Sequence, residues 1–262
     1  MMLLRTALLS VLLVSCSSLP DPRTPPVAGA TEARRLLEQS AARAGHPWQR
    51  LREVEATYDG EWARLVRRLQ PVLVDAGFRR GSWERYRPSQ GRVEQIHRGP
   101  KGTKRVVRTP DAVEVWFNDQ PASSPDGRAA AALVADGYAM FLFGSDWLLA
   151  HGSDWRLDPS AAPLPVDGDP CRRVFGVLRP GLGFAREDRV VAWISERDLR
   201  LRRIQFTLEG LGSTAGADVE VTFREVQPGP RGTEFPRHFV ETVQRPVQIR
   251  AHDWRMTELR AR

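Results

Sequence analysis

The segment VVAWISERDLRLRRIQF, residues 190–206, decides the fold that we expect for this chain. It begins with an apolar run, continues through a polar stretch, and ends in a second strand-like run. In that second run Ile204 and Phe206 alternate with Arg203 and Gln205. Alternation with a period of two places the apolar side chains on one face of a strand. The segment therefore predicts two antiparallel strands that are joined by a polar turn and share one apolar face.

The rest of the C-terminal third repeats this pattern. Leu208 continues the apolar face, and Val219, Val221 and Phe223 alternate with polar residues. Gly, Pro or Asp residues separate six strand-length segments, which are RRVFGVLRP (172–180), RVVAWISERD (189–198), LRRIQFTLEG (201–210), ADVEVTFREV (217–226), PRHFVETVQR (236–245) and RMTELRAR (255–262). Neighbouring segments of this kind predict an antiparallel meander with one apolar face.

Two helices are predicted in the first 150 residues. The first begins at Thr31, which is a suitable N-cap, and ends before Pro47. The second covers residues 126–143, which are rich in alanine and apolar around much of the helix. A helix of this kind must be buried or must cover an apolar surface. Its large apolar side chains are Leu133, Tyr138, Phe141 and Leu142.

Strand patterns fill most of the remaining sequence up to residue 119. Val54, Ala56 and Tyr58, for example, alternate with polar residues. Residues 145–170 are expected to be mostly loop. A strongly curved antiparallel sheet that is wrapped around or capped by helices accommodates both kinds of element. The predicted fold class is therefore mainly β with helices (α+β).

The first sixteen residues, MMLLRTALLSVLLVSC, have the layout of a secretory signal: Arg5 is followed by a short apolar run. The run is shorter than the roughly 20 residues of a membrane span. It ends in Leu13-Val14-Ser15-Cys16, which resembles the lipobox of bacterial lipoproteins and implies diacylation of the Cys16 sulfur and cleavage before it. An uncleaved anchor, or a standard signal with a chance cysteine, is the alternative. Ser17 resembles the class that is sorted to the outer membrane.

These observations predict three regions. Residues 1–15 form a lipoprotein signal peptide, and residues 16–30 form a lipidated cysteine and a proline-rich tether. Residues 31–262 form a single folded domain. The predicted location is the bacterial cell envelope, at the outer membrane and facing the periplasm.

The chain is basic, with 39 Lys and Arg residues against 32 Asp and Glu residues, and its lysines are Lys101 and Lys104. Attraction to anionic lipid headgroups or polysaccharide is one interpretation. A GC-rich genome that encodes arginine in place of lysine is the other, and the even spread of the arginines favours it. If Cys16 is acylated, Cys171 has no partner, and it is either a reactive thiol or, as we favour, a buried one.

Motifs of catalysis and cofactor binding are missing from the sequence. The five histidines have no metal-ligand spacing, and His252 and Asp253, being adjacent, would point to opposite faces of a strand. No G-x-S-x-G segment is present, and Gly181-Leu182-Gly183 lacks the third glycine of a dinucleotide site. We therefore predict no enzymatic activity, no cofactor, no metal and no nucleic-acid partner. A hydrolase whose site has no recognisable motif is an alternative.

The segment at residues 190–206 and the segment VEVTFREVQPGPRGTEFPRHFVE, residues 219–241, resemble successive hairpins of the LolA/LolB-like superfamily of outer-membrane lipoprotein-sorting proteins. The resemblance is good over about residues 188–243. The positions that match the pattern of the second hairpin are Phe223, Gly232, Phe235, Pro236 and Phe239. The chain departs from the superfamily at Ser195 and Glu196, where Asp is usual, at Arg200, where Pro is usual, and at Val226, near the usual Tyr.

The resemblance implies a half-open antiparallel β-barrel that is capped by α-helices and binds acyl chains of lipids or lipoproteins on its concave apolar face. Candidate lining residues are Trp193, Ile204, Phe206, Leu208, Val219, Val221, Phe223 and Phe239, and candidate residues of a helix that plugs the cavity are Leu133, Tyr138, Phe141 and Leu142.

The implied function is lipid or lipoprotein trafficking, with the membrane, acyl chains and another envelope protein as partners. The alternative is an envelope scaffold or stress sensor of the same fold with a filled core. Alternation does not distinguish a filled interior from a vacant one.

Overall fold

The computed structural model describes Leu19, residues 29–158 and residues 163–262. The predicted signal peptide, the predicted lipidation site Cys16 and most of the predicted tether lie outside the described residues.

Helices are few in this fold, and most are short. The described residues form five α-helices, which are α1 (Ala30–Arg43), α2 (Pro47–Arg50), α3 (Arg64–Leu69), α4 (Pro71–Val74) and α5 (Pro125–His151). They also form three 3₁₀-helices, at Pro88–Gln90, Gly212–Thr214 and Pro230–Gly232. Within the described ranges, no helix combines the length and the apolar character that a membrane crossing requires.

Strands dominate the fold. In chain order the strands of the described residues are β1 (Val54–Trp62), β2 (Gly81–Arg87), β3 (Arg92–Gly99), β4 (Gly102–Arg108), β5 (Val113–Phe117), β6 (Gln120–Pro121), β7 (Gly152–Leu157), β8 (Leu164–Val166), β9 (Asp169–Leu178), β10 (Asp188–Ser195), β11 (Leu201–Thr207), β12 (Asp218–Pro228), β13 (Glu234–Arg245) and β14 (Ile249–Ala261). Each of the six segments predicted in the C-terminal third forms a strand.

All of these strands belong to one curved antiparallel sheet. Its order is β6-β5-β4-β3-β2-β1-β14-β13-β12-β11-β10-β9-β7, and β8 pairs with β9 beside this path. The first and last strands pair with each other, with Val54 opposite Ala261, so that the N-terminal and C-terminal strands form a continuous surface. β6 and β7 stand at the two edges and do not pair with each other, so the barrel is half open. The predicted α+β fold class is confirmed.

Helix α5 occupies the concave side of the sheet. Its start follows from local sequence, because Pro125 stands in the first turn and the Ser124 side chain accepts a hydrogen bond of 3.2 Å from the Gly127 amide. Alanines and large apolar side chains along its length are buried. The helix is therefore surrounded by protein, as its sequence predicted.

Two details of the sequence-based prediction are wrong. Residues 145–170 are not mostly loop, because α5 continues to His151 and β7 and β8 follow it. The buried Trp155 ring stabilises β7, where it packs against Gly176 of β9 so closely that a Cβ atom on that glycine would lie 2.1 Å from the ring. Thr31 is not the N-cap of α1, since the helix begins at Ala30 and Gly29 takes the cap position with φ 133°.

Candidate lipid-binding interior

Seven of the eight candidate lining residues face α5 from strands β11 to β13 and the segment after β11. Cross-strand neighbours pair Ile204 with Val221 and Phe223 with Phe239. The seven share one buried core, and they are Ile204, Phe206, Leu208, Val219, Val221, Phe223 and Phe239. Alternation along each strand therefore predicted the inward face of this part of the sheet.

The four candidate residues of the helix lie in the same core. The Phe141 ring is central, with its centroid 5.7 Å from that of Phe206 and 5.4 Å from that of Phe239. Tyr138 also packs on Phe239, at 5.8 Å. Leu133 and Leu142 are buried beside them. The helix thus covers the apolar face of the strands and fills the space in front of them.

Trp193 does not belong to this interior, and its assignment to the lining is wrong. Ala192, not Trp193, stands opposite Ile204, so the Trp193 side chain points to the other face of the sheet, opposite Arg203. There it is buried in a separate cluster with Cys171 and Phe175. The guanidinium groups of Arg173 and Arg203 lie over its ring, each 5.3 Å from the centroid.

Cys171 is a buried thiol, as we favoured from the sequence. Burial raises the pKa of this thiol to about 11, so it is protonated at neutral pH. Because the thiolate is the nucleophile, a protonated buried thiol is a poor candidate for chemistry.

A cleft enters the core near the C-terminal end of α1. Its volume is about 80 Å³, whereas an apolar cavity of about 150 Å³ is known to accommodate benzene in another protein. The cleft therefore has room for a few carbon atoms and not for a complete acyl chain. Its apolar walls are formed by Phe141, Leu142, Phe143, Leu201, Phe223, Phe235 and Pro236, and its rim carries Arg200, Arg202, Arg224, Glu225 and Glu234.

Gly144 lies at the cleft and interrupts α5. Its φ of 53° and ψ of −128° are not helical, and other residues rarely adopt this conformation. A Cβ atom at this position would also lie 3.0 Å from Cδ2 of Leu201. The helix is thus divided into a long segment that ends at Phe143 and a short segment from residue 145 to His151.

The short segment is held by the N-terminal helices. The buried Asp146 carboxylate accepts hydrogen bonds from the Trp48 amide at 2.7 Å and from the Gln49 amide at 3.1 Å. The His46 imidazole lies 3.1 Å from the same carboxylate, and Ser145 donates to Ser40 of α1 at 2.8 Å. The break at Gly144 therefore separates a helix segment that is fixed to α1 and α2 from one that fills the apolar core.

The interior has a second half, which is polar and which the sequence analysis missed. On the inward face of β2 the Glu84 carboxylate accepts hydrogen bonds from Ser82, at 2.7 Å, and from the Tyr86 hydroxyl. Burial raises the pKa of Glu84 to about 7, and the hydrogen bonds from Tyr86 and Ser82 oppose this effect. Because β2 carries charged residues on both of its faces, Glu84 inside and Arg85 outside, alternation alone does not reveal its inward face.

Arg79 lies at the centre of this polar half. Its guanidinium donates to the Tyr138 hydroxyl at 2.5 Å and to the Leu73 carbonyl at 2.9 Å. It lies 4.8 Å from the centroid of Trp62, whose ring stacks on His252 at 3.9 Å. Arg79, Trp62 and His252 therefore form a stack of cation, indole and imidazole next to α3 and α4.

Other titratable groups surround Arg79. Burial raises the pKa of Glu241 to about 7, and the charge of Arg79 partly offsets this shift. Burial holds the pKa values of His97 and His252 well below the usual range of histidine, so both rings are neutral at pH 7. The Nε1 atom of Trp254 has no hydrogen-bond partner among the described residues. Buried polar groups are thus concentrated around Arg79, and the His252 ring borders the apolar candidates at Phe239, 6.3 Å away.

Known proteins are similar to this chain in structure and not in sequence. No protein-family model matches the sequence, and no curated protein matches it significantly. Among solved structures, a LolA superfamily protein from Nitrosomonas europaea matches 88% of this chain and 93% of its own, with 9% sequence identity and a TM-score of 0.51. The chain has the LolA fold. The resemblance predicted from the two hairpins is confirmed at this level.

Two further solved structures are similar to this LolA-like chain. A DUF1329 family protein from Desulfovibrio piger has 13% identity over 90% of this chain and 94% of its own, with a TM-score of 0.45. A putative outer membrane lipoprotein-sorting protein domain from Vibrio parahaemolyticus has 10% identity over 88% of this chain and 93% of its own, with a TM-score of 0.40.

The LolA-like barrel of this chain separates His252 from Asp253, as their adjacency predicted. His252 is buried in the interior, whereas Asp253 bonds to the ring of His238 at 2.7 Å. Within the described ranges no group of three or more His, Cys, Asp or Glu side chains is arranged to hold a metal.

Proposed function

We propose that this protein is a non-enzymatic, lipid-anchored component of the bacterial cell envelope that binds acyl chains of lipids or lipoproteins inside its LolA-like sheet. The observation that carries the proposal is the aromatic cleft at Gly144, which leads from the surface to the apolar half of the interior. The fold shared with the LolA superfamily protein from Nitrosomonas europaea supports it. Anchoring through an acylated Cys16 and residence at the outer membrane are part of the proposal.

An acyl chain enters this interior only if α5 yields space to it. Phe141 fills the inner end of the cleft and contacts Phe206, Phe223 and Phe239. Displacing one phenylalanine exposes about 150–250 Å² of surface, at a cost of about 25 cal/mol per Å². An entering chain covers the same surface again and gains about 0.8 kcal/mol for each buried methylene. The exchange of side chain for ligand is therefore close to balanced, which suits reversible transfer.

The break at Gly144 favours this exchange. The short segment after it is tied to α1 and α2 through Asp146 and Ser145, as described above. The long segment before it ends in Phe141, Leu142 and Phe143, which line the cleft. Rotation about Gly144 would move these three side chains and leave the tied segment in place.

The rim of the cleft suits a polar headgroup. Arg200 pairs with Glu234 at 3.0 Å and Arg202 pairs with Asp169 at 2.6 Å, so the entrance carries both positive and negative charges. A headgroup would stay among these groups while the acyl chain passes between the aromatic rings.

The test is the retention of lipid by a variant with a blocked cleft. Ala44 lines the cleft at the end of α1, so Ala44→Trp fills the entrance and removes no core side chain. Ala42, two residues earlier, is exposed, and Ala42→Trp is the matched control. We expect protein purified gently from membranes to carry acyl lipid, detected by mass spectrometry, in the wild type and in Ala42→Trp, and to lose it in Ala44→Trp.

Urea unfolding of both variants ensures that a loss of lipid reports on the cleft and not on folding. Wild-type protein free of acyl lipid, or equal amounts of lipid in Ala44→Trp and Ala42→Trp of equal stability, would overturn the proposal.

A further inference from the structure

Large apolar side chains are exposed at the end of the barrel where α3 and α4 lie. The exposed fractions are 50% for Leu65, 59% for Leu69 and 43% for Val72. Val247, in the turn between β13 and β14, is 58% exposed. We call these four residues and the arginines beside them the α3–α4 end.

The turn and the two helices belong to the same end of the sheet. The Ala63 amide, just before α3, donates a hydrogen bond of 2.9 Å to the Ala251 carbonyl of β14. Val66 of α3 packs in one cluster with Val243 and Ile249, which flank the turn. The apolar side chains exposed on α3, on α4 and in the turn are therefore parts of one region.

Local sequence explains why α3 and α4 present apolar residues outward. Val66 is the buried side chain of α3, and Leu73 and Val74 are the buried ones of α4. Pro71 has no amide hydrogen, so α3 ends before it and a new helix, α4, begins there. The apolar residues of α3 and α4 therefore do not form one continuous buried face. Leu65 and Leu69 consequently remain outside the core.

Basic side chains surround these apolar ones. Arg64, Arg67 and Arg68 are exposed on α3, and Arg245 is exposed beside Val247. No carboxylate of the described residues forms an ion pair with any of these four guanidinium groups, whereas arginines elsewhere on the surface are commonly paired.

Fewer acidic side chains than arginines are exposed at this end. Near the α3–α4 end, Asp75 pairs with Lys104 and Asp253 pairs with Arg250 and His238. Glu61 is exposed beside Trp62, and Asp59 precedes it on β1. Asp218 is buried opposite Arg245, and Glu209 is exposed just after β11. The α3–α4 end therefore combines exposed aliphatic side chains with a positive charge in excess.

We propose that the α3–α4 end docks on the surface of an anionic lipid bilayer. Apolar side chains rimmed by arginines match the two components of such a surface, since aliphatic groups enter the boundary of the acyl region and guanidinium groups bind phosphate headgroups. A protein partner would need acidic groups in the same arrangement, and nothing in the described residues points to one. This inference does not rest on acyl binding in the cleft.

Docking in this orientation places the cleft away from the bilayer. β13 runs from Glu234 at the rim of the cleft to Arg245 at the α3–α4 end. Twelve residues of strand span about 40 Å. The cleft of a docked molecule therefore opens toward the aqueous compartment.

The experiment places an environment-sensitive fluorophore on a single cysteine in the full chain. Val72→Cys carries it at the α3–α4 end, and Leu164→Cys is the matched control, because Leu164 is 39% exposed on β8 and lines neither the cleft nor the α3–α4 end. Cys16→Ser in both chains keeps the label unique, since Cys171 is buried. The N-terminal segment is the same in both, so any binding through it affects both labels equally.

With vesicles that contain about one-third phosphatidylglycerol in phosphatidylcholine, we expect a blue shift of the label at position 72 and none at position 164. The shift should vanish on pure phosphatidylcholine and in high salt, which screens charge. Changing Arg64, Arg67 and Arg68 to Gln should weaken binding by about fivefold for each arginine. An unshifted label at position 72, or equal shifts at both positions, would overturn the proposal.

The Ala44→Trp substitution, which blocks the cleft, should not change the blue shift of the label at position 72. The two proposals therefore fail separately.

Discussion

The Arg79 guanidinium donates a hydrogen bond of 2.5 Å to the Tyr138 hydroxyl, and this contact joins the two halves of the interior. Arg79 lies among the buried carboxyl groups of the polar half. The Tyr138 ring packs on Phe239 in the apolar half. The position of α5 between the two halves therefore depends on the buried Arg79 cation as well as on apolar packing.

Arg79→Met should destabilise the protein strongly. The change keeps an apolar stem of similar length but leaves the Tyr138 hydroxyl without its donor and the nearby Glu84 and Glu241 without a cation. Removing one partner of a buried charge interaction costs about 3–5 kcal/mol. Urea unfolding at pH 8 measures the loss, which should shrink at pH 5, where both carboxyl groups are protonated.

The neighbouring Arg80 is exposed, and Arg80→Met is the control. Equal and small effects of the two substitutions would show that Arg79 does not hold the interior together.

The stability of the Glu84→Gln variant should increase relative to that of the wild type as the pH rises. Burial raises the pKa of Glu84 in the folded chain to about 7 from its ordinary value of 4.5, so between these values the folded chain keeps a proton that the unfolded chain has lost. The contribution of this carboxyl to stability is full below the unfolded pKa and disappears as the pH rises through the folded pKa. Each pH unit in this window changes the free energy of unfolding by about 1.4 kcal/mol.

The difference in unfolding free energy between Glu84→Gln and the wild type should therefore move in favour of the variant by about 2–3 kcal/mol between pH 5 and pH 8. His97 and His252, whose pKa values are lowered by burial, act in the opposite direction because their contribution is lost as the pH falls below 6.5. They are present in both proteins, so the difference isolates Glu84. Glu114→Gln removes an exposed carboxylate and controls for net charge. A difference that does not change with pH would contradict the conclusion that burial raises the pKa of Glu84.

Gly144→Ala should destabilise the protein by about 1–3 kcal/mol, because alanine rarely adopts the backbone conformation found there. Gly137→Ala in the same helix is the matched control. Its Cβ atom would make only an ordinary contact, 3.8 Å from Phe141, and alanine favours helix over glycine by up to about 1 kcal/mol. Thermal and urea unfolding of both variants compare the two positions, and equal stabilisation by both substitutions would mean that α5 is not broken at Gly144.

Cys16→Ser should abolish acylation and release the protein from the membrane fraction. A single acyl chain binds a bilayer only marginally, so stable anchoring needs the several chains of a lipidated cysteine. Intact mass measurement of protein from membranes checks the modification. Cys171→Ser, which changes the other cysteine of the chain, is the control and should leave the protein acylated and anchored. Unchanged mass and anchoring in Cys16→Ser would show that the lipobox prediction is wrong.

Much of the apolar half was predictable from local sequence. Ile204, Val221 and Phe223 alternate with polar residues, and in the structure they do face α5. The failure at Trp193 has a local cause. The run VVAWI that contains it is apolar at every position, so periodicity does not reveal which of its residues face inward. Pairing of Ala192 with Ile204 decided the question.

The sequence by itself determined the strands, the central helix and the apolar face of the C-terminal sheet. These follow from periodicity, which is a property of neighbouring residues. Only the tertiary structure decided that α5 fills the concave side and that Glu84, Arg79 and His252 lie inside it. Whether a polar residue is buried depends on the elements that other parts of the chain bring against it. Here those elements are α5 and the last strand, which are distant in sequence from β2.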